Sequence, residues 1–312
     1  MKHNSKITLI LLAMFLVTQL IGLAVVYAYT PIVEQVEVDG QLVNVTTNPL
    51  PYNLEPPKTE PLSALTSIVI AFVIAIIFIF LLTKFKAAMI IRLWFFFVVT
   101  LVMAISLNAL FQFVTPSSAI LAIILSLPLA VYKIFKRNII LHNLTELLIY
   151  PGIAVVFIPL LNVWTIIILL ILISLYDMWA VWHSGFMQKM ASFQINELKI
   201  FGGFFVPYLT KKQRVQIKNA KQQMKLSKRD KKRMGSMKVN LAILGGGDVV
   251  FPIITAGIIL RVMGLTEALI VVAAATIALA LLFLFSQKGK FYPAMLFITA
   301  GLLIGIGLAY LV

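Results

Sequence analysis

No cysteine occurs in the 312 residues, which excludes disulfides, thiolate metal centres and thiol nucleophiles together. Histidine is almost as scarce: His3, His142 and His183 are far apart and fall in no HExxH-like spacing, so zinc or iron has no ligand set. The expectation is an activity that needs neither a metal nor an organic cofactor. Acidic residues are also few, 11 against 26 Lys and Arg. Charged residues of both signs make up 12% of the chain against 61% hydrophobic ones, with a mean hydropathy of +1.03. No soluble core of this length needs that balance, and the composition implies a polytopic membrane protein.

What fills the sequence instead is a series of apolar runs of about 20 residues, the length that crosses a bilayer as a helix. Nine are present, at 7–29, 62–82, 90–113, 117–132, 139–159, 163–182, 239–260, 266–285 and 292–311. The expected fold class is all-α, with about nine transmembrane helices whose mostly short connections make neighbours antiparallel. Lys and Arg set the orientation. Lys2, Lys6, Lys84, Lys86, Arg92, Lys133, Lys136, Arg137, Lys288 and Lys290 fall on one side together with a basic segment after the sixth run. The first loop, by contrast, holds Glu34, Glu37, Asp39, Glu55 and Glu60 against Lys58 alone. The N-terminus is therefore expected in the cytoplasm and the C-terminus outside, in a multi-pass protein of the cell membrane. A cleaved signal peptide is the rival reading of the first run, whose basic start and small residues near Ala28 fit that pattern too.

Three parts follow from this layout: a six-helix part at 1–185 with an external loop at 30–61, a basic cytoplasmic loop at 186–238, and a three-helix part at 239–312. Within the external loop, 36–45 has the alternation of a short hairpin about Asp39-Gly40. The basic loop carries 14 Lys and Arg between Lys189 and Lys238 against Glu197 and Asp230. Fixing the topology is its simplest use; anionic lipid is a partner it would attract, and no nucleic acid is expected. Up to Leu209 it keeps aromatic and glycine content and is expected to lie against the membrane, whereas Lys, Gln and Met dominate beyond.

Two carboxylates interrupt the apolar runs. Asp177 stands in the sixth after Tyr176, and Asp248 stands in the seventh after three successive glycines, Gly245, Gly246 and Gly247. A charge at the bilayer centre costs on the order of 3 kcal/mol even on a lenient scale, and each glycine weakens a helix by roughly 1 kcal/mol, so something must come close there. Taking both runs as helices, Asp177 lies roughly 20 Å inward from the outer end and Asp248 roughly 14 Å inward from the cytoplasmic end. In a core about 30 Å thick these depths coincide. Two carboxyls at one depth tend to hold a single proton between them, a state that suits peptide hydrolysis by water. Proton-coupled transport, or a silent scaffold in which each acid pairs separately, uses the same two residues.

Tyr176-Asp177 in one run and Gly245-x-Gly247-Asp248 in the next resemble the paired YD and GxGD motifs of the presenilin and signal peptide peptidase family of intramembrane aspartyl proteases. The likeness extends to nine spans, a large loop after the sixth, and Pro293-Ala294-Met295 opening the ninth where that family has Pro-Ala-Leu. It implies that Asp177 and Asp248 are the catalytic pair, and that Tyr176, Gly245, Gly247, Pro293, Ala294 and Met295 support the site and its substrate groove. Met in place of Leu is apolar and nearly volume-conserving. Single-span membrane proteins or peptides would be the substrates. A cytoplasmic N-terminus is similar to the presenilin orientation and implies substrates with an external N-terminus. A helical substrate hides its carbonyls, so it is expected to unwind and to add as a strand to exposed backbone near the loop. Other candidates are weaker: Glu146 reads as an interfacial carboxylate, Ser184 lacks a Gly-x-Ser-x-Gly context, and Gly301 with Gly305 reads as a packing face.

Overall fold

The computed structural model describes residues 5–30, 32–38, 41–47, 60–84, 88–115, 117–136, 138–181, 202–208, 240–286 and 292–312. The basic run beyond Tyr208, His183, Ser184, Lys288, Lys290 and the Asp39-Gly40 turn lie outside the described residues. The described residues hold nine α-helices: α1 (Ser5–Ala28), α2 (Pro61–Lys84), α3 (Ala88–Phe111), α4 (Ser118–Phe135), α5 (Ile139–Phe157), α6 (Val163–Trp179), α7 (Gly246–Val262), α8 (Leu265–Phe285) and α9 (Ala294–Ala309). Five of them, α1, α3, α4, α5 and α8, are long and apolar enough to cross a membrane on length and composition alone. Large apolar side chains such as Phe72, Ile74, Leu93, Trp94 and Ile124 face outward and stay exposed, as lipid-facing surfaces do.

The bundle is organised around α7. Eleven of its residues, from Val249 and Val250 through Pro252 to Leu260, are buried, which is the signature of a helix surrounded on all sides. It packs against α1, α5, α6, α8 and α9. The first apolar run is thus a core element: α1 buries Leu11, Phe15, Val25 and Val26 and contacts α5, α7 and α8. The Gly301 and Gly305 face is a packing face, since a Cβ at Gly305 would lie 2.9 Å from that of Ala274 and 3.0 Å from the Val271 backbone on α8.

Four strands depart from a purely helical chain. β1 (Ile32–Val38) and β2 (Gln41–Thr47) pair antiparallel with Val38 opposite Gln41, a longer hairpin than the one expected at 36–45. β3 (Gly203–Tyr208) and β4 (Asn240–Gly245) pair antiparallel with Gly203 opposite Gly245. The second pair corrects the reading of 239–260 as one helix, because 240–245 is extended and the helix begins only at Gly246. Three glycines offer a helix little support, and the extended backbone finds its hydrogen bonds in β3 instead. Of the aromatic stretch before Leu209, the described part at 203–208 is accordingly a strand, with Phe204 fully covered.

Candidate active site

Asp248 occupies the first turn of α7, immediately after β4. The ladder continues one step past the strand, with Gly246 N–H donating to Gly202 C=O at 3.1 Å, and then the chain turns into the helix. As the third helical residue, Asp248 folds its carboxylate back towards the Gly245 backbone N–H, the reciprocal half of a capping box. The glycines do different things. A Cβ on Gly245 would stand 3.1 Å from Asp248 Oδ2; one on Gly246 would meet the Tyr150 ring and hydroxyl at 3.0 Å; one on Gly247 would meet only Phe251, at 3.9 Å. Gly247 is exposed and leaves the backbone beside Asp248 bare. Pro252, four residues on, has no N–H for the Asp248 carbonyl, and at the next residue buried Gln19 of α1 donates to Val249 C=O at 3.0 Å.

Asp177 lies near the end of α6, 6% exposed. Its Oδ2 accepts the Met295 backbone N–H at 3.1 Å. Pro293 is the N-cap of α9, so Ala294 and Met295 form a helical first turn whose amides have no intrahelical acceptor. Asp177 supplies one from another helix. One turn back along α6, Ser174 Oγ reaches Met295 C=O at 3.1 Å and Thr299 Oγ1 at 2.7 Å. These bonds fix the height of α9 against α6.

α6 packs on both α7 and α9, and the two carboxyls are within coulombic reach of one another. Each sits at the N-terminal end of a helix, Asp248 on α7 and Asp177 against α9. A helix N-terminus stabilises a nearby carboxylate by up to about 2 kcal/mol in partly buried geometry, and a hydrogen bond to a charged group adds roughly 1.5–3 kcal/mol. Together these offset the insertion cost of about 3 kcal/mol for one charge. Two ionised carboxyls within reach of one another would in addition repel.

Of the other residues singled out from sequence, Tyr176 is half-buried and its ring packs edge-on against Phe72 at 6.0 Å and beside Trp179 at 6.4 Å. Glu146 is buried, 1% exposed and 2.6 Å from Lys133 Nζ, set behind β3. Sequence reasoning missed Ser174, Thr299 and Gln19, and gave Gly246 no role distinct from its two neighbours. Ser174 carried a signal, standing three residues before Asp177 and therefore on the same helix face. Gln19 carried its polarity alone, in the middle of an apolar run.

A family profile described as signal-peptide peptidase, presenilin aspartyl protease matches residues 12–312. No curated relative matches the chain. Among solved structures, a presenilin family intramembrane aspartate protease in a C222 crystal form is similar with a TM-score of 0.58 at 17% identity, covering 97% of this chain and 98% of the other. A presenilin family intramembrane aspartate protease in a P2 form gives 0.57 at 16% identity, covering 96% of both chains. At such identities the likeness is one of fold.

Proposed function

This chain belongs to the signal-peptide peptidase and presenilin aspartyl protease family and is an intramembrane aspartyl protease, and we propose that Asp177 and Asp248 are its catalytic pair. The observation that carries the assignment is that Asp248 stands in the first turn of α7 and Asp177 accepts from the first turn of α9, with the two carboxyls within coulombic reach. With one proton between them, the ionised carboxyl takes a proton from water as it attacks the scissile carbonyl. The protonated one donates to the carbonyl oxygen; the proton taken from water is then passed to the leaving nitrogen as the C–N bond breaks, and a diol hydroxyl returns its proton to the other carboxylate, which restores the one-proton pair. The Met295 N–H and the Gly245 turn hold the carboxyls in place without contributing a proton.

Pro293, Ala294 and Met295 serve as the α9 cap that orients Asp177, Gly245 as the space Asp248 needs, and Gly247 as bare backbone for the substrate. Tyr176 packs the site on the α2 side. The substrate is a single-span membrane segment that unwinds near the site and adds as a strand along β4, whose outer edge pairs with no other strand among the described residues. Topology follows the charge distribution, with the N-terminus and the 186–238 loop in the cytoplasm, the C-terminus outside, and the cell membrane as location. Cleavage of a helical peptide by purified enzyme in detergent, without any gradient, is expected to vanish in both Asp177→Ala and Asp248→Ala. Full cleavage by either single variant refutes the shared site.

A further inference from the structure

Strand β3 has two edges, and one of them is closed by side chains of α4 and α5. In an antiparallel ladder successive residues point their backbone groups alternately towards and away from the partner strand. The Gly246 N–H to Gly202 C=O bond fixes the phase, so Gly203, Phe205 and Pro207 point away from β4. Each is occupied or disabled. Asn143 brackets Phe205, its Oδ1 accepting Phe205 N–H at 2.9 Å and its Nδ2 donating to Phe205 C=O at 2.8 Å, as a neighbouring strand would. His142 Nε2 lies 2.8 Å from Gly203 C=O, and Glu146 Oε1 takes Gly203 N–H in a long 3.5 Å contact. Pro207 has no N–H to offer.

The charged part of this cluster has one consistent proton assignment. Lys133 is a donor only, and its Nζ is 2.6 Å from Glu146 Oε1 and 3.3 Å from His142 Nδ1. His142 Nδ1 is therefore the acceptor and Nε2 carries the hydrogen that goes to Gly203 C=O. A buried Lys–Glu pair is an expensive device for stability alone, yet here every member ends on the backbone of one strand or on a side chain that does. On β4, the same phase turns Leu241, Ile243 and Gly245 outward, towards the edge that runs into Asp248.

We propose that Lys133, His142, Asn143 and Glu146 are positioning residues that clamp the outer edge of β3, so that an unwound substrate segment can add only to β4 and in one register relative to Asp248. The clamp rests on the strand-addition reading of substrate binding given above. Without cysteines the chain suits single-cysteine cross-linking. In an Asp177→Asn background, where the peptide stays whole, Ile243→Cys on β4 and Tyr208→Cys on β3 are each tested against a synthetic apolar transmembrane peptide with one cysteine placed at successive positions. The expected result is a disulfide at Ile243→Cys and none at Tyr208→Cys. Cross-linking at both with equal yield overturns the clamp and leaves strand addition standing; cross-linking at neither overturns both. In the active enzyme, Asn143→Leu, which keeps the side-chain size but removes both bonds to Phe205, is expected to raise KM roughly fivefold to tenfold and to spread the cleavage positions. Asn143→Gln is expected to restore part of each. If Asn143→Leu lowers only the yield of folded enzyme, with KM and cleavage positions unchanged, Asn143 is structural and the clamp is refuted.

Discussion

Alanine placed in turn at Gly245, Gly246 and Gly247 separates stability from catalysis, because the added methyl meets a different neighbour at each position. None of the three needs glycine for its backbone: Gly245 has φ −63° and ψ 145°, and the other two are helical, so the cost is steric. At Gly246 the methyl stands 3.0 Å from the Tyr150 ring and hydroxyl and 3.3 Å from Gly202 C=O. Overpacking of that kind costs about 1–3 kcal/mol, against a gain of up to about 1 kcal/mol from replacing glycine in a helix. Gly246→Ala should therefore lose about 1 kcal/mol, a fall in Tm of about 2–4 °C, and Tyr150→Phe should recover part of it by removing the hydroxyl. At Gly245 the neighbour is Asp248 Oδ2 at 3.1 Å, a rotatable carboxyl that moves aside by a few tenths of an ångström. With about 100-fold lost per ångström of misplacement, kcat per folded molecule should drop roughly fourfold to tenfold while Tm holds. At Gly247 no protein atom is crowded, so Tm should hold and any loss should appear in KM. Thermal unfolding and peptide-cleavage kinetics on the three variants decide the matter. A Gly245→Ala enzyme with lower Tm and unchanged kcat, or a Gly246→Ala enzyme with the reverse, refutes the assignment of these neighbours.

Asp177→Asn keeps an acceptor for the Met295 N–H and should fold with a Tm near that of the parent while losing cleavage, as read by mass spectrometry of the peptide products. Ser174→Ala and Thr299→Val each remove a bond between α6 and α9; at about 1 kcal/mol per bond, kcat/KM should fall roughly fivefold in each. The double variant should cost less than the sum, since the two hydroxyls bond one another. A pair that works with one shared proton should give a bell-shaped pH profile of kcat/KM, falling at low pH where both carboxyls are protonated and at high pH where both are ionised. A profile flat on either limb over the range in which the protein stays folded contradicts the mechanism.

The apolar runs were legible because lipid imposes a length: the starts of α2, α3, α5, α6 and α8 fall within two residues of the runs read from hydropathy. So were the two acids, for which an apolar run offers no ordinary reason, and Pro293, whose fixed φ and missing N–H mark a helix start. The strand at 240–245 was not. Asn-Leu-Ala-Ile-Leu-Gly is short and apolar, and periodicity cannot tell such a stretch from the start of a buried helix. Its partner lies beyond a long basic segment, so nothing local announced the pairing. The partner of Glu146 was illegible for a related reason: its cation, Lys133, is on the preceding helix, and only the packing of α4 on α5 buries the pair.

By itself the order of residues settled how many apolar helices the chain forms and which two carboxyls stand in apolar runs, since both depend on transfer from water to lipid, a property of each segment alone. The folded bundle decided what holds them: the Met295 amide, 118 residues from Asp177, the extended backbone before Asp248, and the side chains that close one edge of β3. Those depend on hydrogen bonds between distant segments, and no segment carries its partner's address.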